Sequence, residues 1–214
     1  MNSKIYVVLF IEVISFFFVN SFSVRSFFTG SIMSYFKKNT PITIGFFPGS
    51  GIPVSTYTRF LQELQYSDCK LNPVNNINIS IRPSVLMPEN TVLIGHSFGG
   101  SICLWLALFD KAINRNNVKA CILINSHFNQ RRVMPYPPIN INKLDIPVLV
   151  MLSEHDNKLP LFKSLDDKLY VKEQNITNVQ FVINSGNHTS RFTNFNEIKT
   201  TTKQIKLFLW SIKS

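Results

Sequence analysis

Short apolar segments that alternate with segments of helical periodicity constrain the fold of this chain more than any other feature. The predicted strands are 41–47, 77–81, 91–94, 118–125, 146–152 and 179–183, and the predicted helices are 56–65, 98–109, 161–172 and 195–212. Most of these strands are apolar at nearly every position, which is typical of a parallel sheet covered on both faces. The sequence therefore predicts an α/β fold, with a mostly parallel central sheet flanked by helices.

The first 40 residues do not share this alternation. Residues 5–19 form an apolar run, and Val19-Asn20-Ser21 then resembles the cleavage site of a secretory signal peptide. Residues 22–40 contain Arg, Lys, Ser and Phe but no acidic residue, which is typical of a transit peptide or a linker. We expect residues 1–21 to be a signal peptide or signal anchor and residues 41–214 to be the folded domain. The product would enter the secretory pathway, associate with a membrane through this segment, or reach a plastid.

The charge and cysteine content exclude several classes of protein. The net charge is +10, but the basic residues are scattered, and the densest clusters are the pairs Lys37-Lys38 and Arg131-Arg132. Without a basic helix or a basic–aromatic repeat, we expect no nucleic-acid partner. Three cysteines cannot form a dense disulfide framework, and no Cys/His spacing is typical of zinc, so we expect no metal.

A nucleophile motif follows the predicted strand 91–94. The segment 95–100 reads GHSFGG, which is the G-x-S-x-G pattern, and an apolar helical segment comes directly after it. Between a strand and a helix, this pattern forms a sharp turn that exposes the serine hydroxyl above the sheet. Ser97 is therefore the candidate nucleophile.

Two further strand ends supply a candidate acid and base. Residues 153–160, which read SEHDNKLP, follow one strand, and His188 lies in the loop after the last strand. A serine hydroxyl needs a base, and the base needs a carboxylate that holds its tautomer. We assign Asp156 as the acid and His188 as the base, with Glu154 as the alternative acid.

These segments resemble those of the serine hydrolases with the α/β-hydrolase fold. The similarity extends over residues 41–214 and rests on GHSFGG at 95–100, PVLVMLSEHDNKLP at 147–160 and VINSGNHTS at 182–190. The resemblance implies an esterase- or lipase-like enzyme whose acyl intermediate forms on Ser97. It implies no metal or organic cofactor.

The oxyanion hole is expected from two backbone amides. The amide of Phe98 comes directly after the nucleophile. The second donor would lie after the first strand, where the His-Gly pair common in this family is missing. Pro48 has no amide hydrogen, so Phe47 is the first choice, with Gly49 or Ser50 in reserve.

The segment between the strands 118–125 and 146–152 bears on the substrate. It spans only residues 126–145 and contains Pro135, Pro137 and Pro138, which oppose helix formation. We therefore expect a minimal, lidless hydrolase with an open pocket for a small-molecule acyl ester. Its apolar wall would consist of Phe128, Met134 and Tyr136.

The remaining histidines and acids are assigned structural roles. We expect His96 to pack beside the nucleophile, His155 to point away from the site, and Asp110, Asp166 and Asp167 to be solvated. The predicted activity is cleavage of a carboxylic ester or thioester, possible lipid-like substrates included. The alternatives are acyl transfer by the same three residues and a non-catalytic binding protein of the same fold.

Overall fold

The computed structural model describes residues 42–66, 77–80, 87–126, 141–159 and 161–211. The signal peptide or anchor and the linker predicted before residue 41 lie outside the described residues. So do the predicted pocket residues Phe128, Met134 and Tyr136 and most of the segment expected to lack a lid.

A single six-stranded sheet forms the centre of the described structure. The strands are β1 Ile42–Phe47, β2 Ile77–Ser80, β3 Thr91–His96, β4 Val118–Ile124, β5 Val148–Ser153 and β6 Val179–Asn184. They are ordered β2-β1-β3-β4-β5-β6, and every neighbouring pair is parallel. The predicted fold class is confirmed.

Helices cover both faces of the sheet. They are α1 Thr58–Tyr66, α2 Phe98–Ala112, α3 Leu161–Glu173, α4 Ser190–Thr193 and α5 Phe195–Ser211, with 3₁₀ turns at Val54–Tyr57 and Ile141–Lys143. On one face, α1, α4 and α5 pack against the sheet, and on the other face α2 and α3 do so. Within the described part of the chain, no helix is long and apolar enough to cross a membrane.

The continuous apolar character of the strands follows from this layering. Along β3, Val92 and Ile94 belong to the core on one face and Leu93 belongs to the core on the other. Every residue of β3 and of β5 is buried. A strand with water on one face would show polar residues at every second position, and these strands do not.

Two acidic residues that we expected to be solvated are buried. Asp110 is only 2% exposed and Asp167 only 3%. Asp110 Oδ2 accepts hydrogen bonds from the amides of Asn117 at 2.6 Å and Val118 at 3.0 Å. The carboxylate thus binds the otherwise unpaired amides where the chain enters β4, so the expectation for these two residues was wrong. Asp166 is exposed, as expected.

Because all six strands are parallel, their carboxyl ends lie along one edge of the sheet. The turns after β1, β3, β4, β5 and β6 therefore meet at that edge, where sites form in sheets of this kind. The candidate residues follow β1, β3, β5 and β6.

Candidate active site

Ser97 lies in a strained turn between β3 and α2. Its backbone has φ 53° and ψ −125°, in a region that residues with a side chain rarely adopt. Its amide donates a hydrogen bond of 2.9 Å to the carbonyl of Ile124, which ties the turn to the end of β4. The side chain forms no capping hydrogen bond to the described residues of α2. The local geometry is that of a nucleophile elbow.

The glycines around Ser97 permit a close approach of the backbone. A methyl group on Gly95 would collide with the carbonyl of Gly99, and one on Gly99 would collide with the carbonyl of Phe47. Strand β3, the start of α2 and the end of β1 are thus packed backbone to backbone. The spacing of glycines in the motif is a consequence of this packing.

Asp156 and His188 form a buried pair across two loops. His188 Nδ1 lies 2.7 Å from Asp156 Oδ2, and their side chains are 11% and 1% exposed. The other carboxylate oxygen, Oδ1, accepts hydrogen bonds from the amides of Lys158 at 2.8 Å and Leu159 at 2.7 Å. A carboxylate can only accept from Nδ1–H, so His188 Nε2 carries no hydrogen in the neutral ring and can accept a proton.

The hydrogen bonds keep Asp156 ionised. Burial by itself raises the pKa of this carboxyl, but the hydrogen bonds from His188, Leu159 and Lys158 outweigh burial and hold the pKa below its usual value. The pair therefore has the charge distribution needed to stabilise a protonated His188.

The alternative acid is placed differently. Glu154 is exposed, whereas Asp156 is only 6% exposed. The structure thus brings Asp156, and not Glu154, to His188. His155 is also exposed, in agreement with the expectation that it points away.

The loop after β1 lies beside the elbow. Phe47 pairs with Gly95 in the sheet, and Phe98 is the first residue of α2, so both proposed oxyanion amides border the turn that carries Ser97. The reserve donor Gly49 is already engaged, because its amide donates a 2.9 Å hydrogen bond to Tyr57 Oη. This amide therefore already has a buried partner within the fold.

Sequence reasoning missed two polar residues near His188. Tyr57, which lies in the predicted helix 56–65 and was given no role, makes a 2.9 Å hydrogen bond with His96 Nδ1. Asn125 follows β4 and donates from Nδ2 to the carbonyl of His188 at 2.9 Å. Asn125 is the polar last residue of the otherwise largely apolar predicted strand 118–125, so its position was a usable signal. For Tyr57 no sequence signal exists.

Arg191 is a third residue that the sequence did not single out. Its guanidinium is fully buried and donates to the carbonyl of Leu152 at 2.6 Å, to Ser153 Oγ at 3.2 Å and to Thr201 Oγ1 at 3.2 Å. Burial lowers the pKa of Arg191 to about 10, although Glu197 nearby offsets part of this effect. Arg191 therefore holds the end of β5, from which the Asp156 loop starts.

Metal binding finds no support in the described part of the chain. No group of three or more His, Cys, Asp or Glu side chains is arranged there to hold a metal ion. Cys103 and Cys121 are buried thiols of the core that form no disulfide, and burial raises the pKa of Cys121 well above its usual value. The candidate groups among the described residues are the Ser97 hydroxyl, the His188–Asp156 pair and the two backbone amides.

Three solved structures illustrate what this fold is similar to. ClbQ from the colibactin pathway has a TM-score of 0.57 at 13% identity, over 81% of this chain and 99% of that one. Esterase 2 of Thermogutta terrifontis, phosphorylated by paraoxon, has a TM-score of 0.53 at 14% identity, over 80% of this chain and 83% of that one. The RedJ thioesterase of the prodiginine pathway in Streptomyces coelicolor has a TM-score of 0.51 at 12% identity, over 78% of this chain and 90% of that one.

These similarities define the class of fold. The chain has the α/β-hydrolase fold, with Ser97 in a strained turn after β3. No protein-family model matches the sequence, and no curated protein matches it significantly.

Proposed function

We propose that this chain is a serine hydrolase that cleaves a carboxylic ester or thioester. The observation that carries the proposal is the arrangement at the carboxyl edge of the sheet. A serine in a strained elbow follows β3, and a buried pair with a 2.7 Å hydrogen bond between His188 Nδ1 and Asp156 Oδ2 follows β6 and β5. Support also comes from solved structures of the same fold that are named as esterases and thioesterases.

In the proposed reaction, Ser97 Oγ attacks the carbonyl carbon of the substrate while His188 Nε2 takes the hydroxyl proton. Asp156 stabilises the resulting imidazolium through its hydrogen bond to Nδ1. The amides of Phe98 and Phe47 stabilise the negative charge on the carbonyl oxygen. His188 then returns the proton to the leaving alcohol or thiol, and an acyl group remains on Ser97. A water molecule, deprotonated by His188, releases the acid.

The substrate class is proposed to be a small acyl ester that reaches an open pocket, with Phe128, Met134 and Tyr136 as its apolar wall. A lipid-like ester is one member of this class. A membrane phospholipase A is among the solved structures with the same fold, with a TM-score of 0.54 at 13% identity over 81% of this chain. Acyl chain length is the property to vary in the first assays.

The test combines covalent labelling with turnover. A fluorophosphonate probe is expected to label the wild-type protein, and p-nitrophenyl esters of increasing chain length are expected to be hydrolysed. Ser97→Ala is expected to abolish both. The matched control, Ser185→Ala, removes an exposed hydroxyl from the turn before His188 and is expected to change neither.

Each alternative predicts a different result. Product that forms only when an alcohol or amine acceptor is added would indicate acyl transfer. A folded wild-type protein that is neither labelled nor active would indicate a binding protein and overturn the proposal. Labelling that persists in Ser97→Ala would show that the nucleophile is another residue.

A further inference from the structure

A buried side chain that takes no part in the proposed reaction joins two loops of the site. The amide of Gly49 donates to Tyr57 Oη at 2.9 Å, Tyr57 Oη lies 2.9 Å from His96 Nδ1, and His96 Nε2 lies 2.8 Å from the carbonyl oxygen of His188. We call these four groups the His96 chain. It extends from the loop after β1 to the loop that carries the proposed base.

The partners determine where every hydrogen of the His96 chain lies. The carbonyl oxygen of His188 can only accept, so His96 Nε2 carries a hydrogen and donates. In a neutral imidazole, Nδ1 then accepts, which makes Tyr57 the donor to it. The oxygen of Tyr57 accepts from Gly49. Only one tautomer of an uncharged His96 satisfies all four groups.

We propose that His96 is a positioning residue of the active site, which sets the oxyanion loop through Tyr57 and the base through the carbonyl of His188. This inference rests on the proposed hydrolase function and deepens it. In this proposal, His96 contacts neither the substrate nor the proton that moves between Ser97 and His188. It acts through the two loops, and its effect is on their relative placement.

The loop after β1 is close enough to Ser97 for this role. A methyl group on Gly49 would lie 2.9 Å from His96 Nδ1 and 3.3 Å from Ser97 Cβ. Two residues before Gly49 is Phe47, the proposed oxyanion donor. A shift of this loop would therefore move the amide relative to the nucleophile, and displacements of about 1 Å cost up to about 100-fold in rate.

The other end of the His96 chain is restrained from two strands. The carbonyl of His188 accepts from His96, which ends β3, and also from Asn125 Nδ2, which follows β4, at 2.9 Å. The two donors together occupy both lone pairs of this oxygen. Asp156 orients the ring, and the two donors fix the backbone from which the ring extends.

The ring of His96 must also remain uncharged for the base to work. The ring centroids of His96 and His188 are 4.6 Å apart, so a cation on His96 would oppose the imidazolium that forms on His188. Burial first, and then the nearby His188, lower the pKa of His96 to about 4, while the hydrogen bond to the His188 carbonyl and the charge of Asp156 act in the opposite direction. Tyr57 and the apolar ring of Phe192 also pack against the ring of His96.

Two isosteric variants separate the two ends of the His96 chain. His96→Gln retains an N–H near the position of Nε2 and so keeps the donor to the His188 carbonyl. His96→Asn retains an oxygen near the position of Nδ1 and so keeps the acceptor for Tyr57 but loses the donor. Tyr57→Phe breaks the connection to Gly49 and leaves the His188 end intact.

We expect His96→Asn to lower kcat about 10- to 100-fold with KM changed less than about threefold, because the base is displaced and binding is not. The acid limb of its pH profile is expected to move, because the placement of the base changes. His96→Gln is expected to retain more than about a tenth of wild-type kcat, and Tyr57→Phe to lose about tenfold with the acid limb unchanged. The control is Val92→Ala, a buried substitution in β3 that loses stability but is expected to keep wild-type kcat.

A measurement on the wild-type protein tests the same inference without any variant. Nitrogen-15 NMR of the histidine rings is expected to show His96 as the Nε2–H tautomer, uncharged down to about pH 5. An Nδ1–H tautomer, or protonation above pH 6, would overturn the proposal even if every variant failed to fold.

The outcomes also separate this inference from the proposed function. A wild-type protein without activity or labelling overturns the function, and the positioning role falls with it. An active wild type, with all three variants folded and within twofold in kcat and pH profile, overturns the positioning role alone.

Discussion

Acid should destabilise this protein through His96 in particular. The side chain is 0% exposed, and burial together with His188 lowers the pKa of His96 from 6.5 to about 4. In the unfolded chain the ring takes up a proton near pH 6.5. Between these two values the unfolded state binds a proton that the folded state excludes.

The sign and the size of the effect follow by linkage. Stability rises with pH wherever the unfolded state binds more protons, so the contribution of His96 is complete above pH 6.5, falls as the pH drops toward 4, and changes no further below that. One pKa unit is worth about 1.4 kcal/mol, which makes the whole effect about 3 kcal/mol. About 2 kcal/mol of this should be lost between pH 7.5 and pH 5.

The assay is urea denaturation of the wild type and of His96→Gln at pH 7.5 and pH 5. Other groups titrate in both proteins, so the useful quantity is the change in their stability difference. The wild type is expected to lose about 2 kcal/mol more than the variant. His155→Gln, which removes an exposed histidine from a neighbouring loop, is expected to lose stability in parallel with the wild type.

The reasoning would be refuted by curves for wild type and His96→Gln that shift together to within about 0.5 kcal/mol. That result would mean that His96 takes up its proton in the folded state, which its burial and its hydrogen bond to Tyr57 oppose. A larger loss in His155→Gln than in the wild type would show that the control residue is not inert.

Three further predictions concern the acid, the buried guanidinium and the leader. Asp156→Asn should lower kcat roughly 10⁴-fold because Nδ1 of His188 loses its carboxylate, whereas Glu154→Gln, at an exposed residue, should remain active. Steady-state kinetics of both variants test this, and a severe effect of Glu154→Gln with a mild one of Asp156→Asn would show that Glu154 is the acid. Arg191→Lys should lower the urea-derived stability by about 2 kcal/mol or more, because one ammonium cannot reach all three partners of the guanidinium; a loss below about 0.5 kcal/mol would contradict this. A protein that begins at Lys37 should be soluble and active, and mass spectrometry of the natural product should find its amino terminus at Phe22 or further along the chain. An intact Met1 on a soluble cytosolic protein would contradict the prediction that residues 1–21 are a targeting segment.

The candidate nucleophile, acid and base show which parts of the site local sequence motifs can predict. The identity of Ser97 as the elbow serine was predictable because a strand, a glycine-flanked serine and a helix are adjacent in the chain. Asp156 and Glu154 both follow β5, and the sequence favoured Asp156 as the acid with Glu154 as the alternative. The 2.7 Å distance from His188 Nδ1 to Asp156 Oδ2 depends on how two loops meet, so the pairing itself is visible only in the structure.

Buried charge was the least predictable property. Asp110 and Asp167 each lie in a helix and are each followed by a lysine, and the sequence gives no sign that these carboxylates are covered. The structure buries both. Arg191 lies among Ser and Thr residues near the histidine loop, and its burial follows from where α4 and α5 meet β5. Burial of a charge depends on the partners that meet it, and those partners come from distant parts of the chain.

The sequence by itself determined the layers, the parallel sheet and the order of the candidate residues, because apolar periodicity and turn motifs are local properties of a chain. The tertiary structure decided which groups are hydrogen-bonded to one another. Tyr57 meets His96 from 39 positions away and His96 meets the His188 carbonyl from 92 positions away. Such contacts form only when parallel strands bring their carboxyl ends to one edge, and no local pattern records which side chains will face each other there.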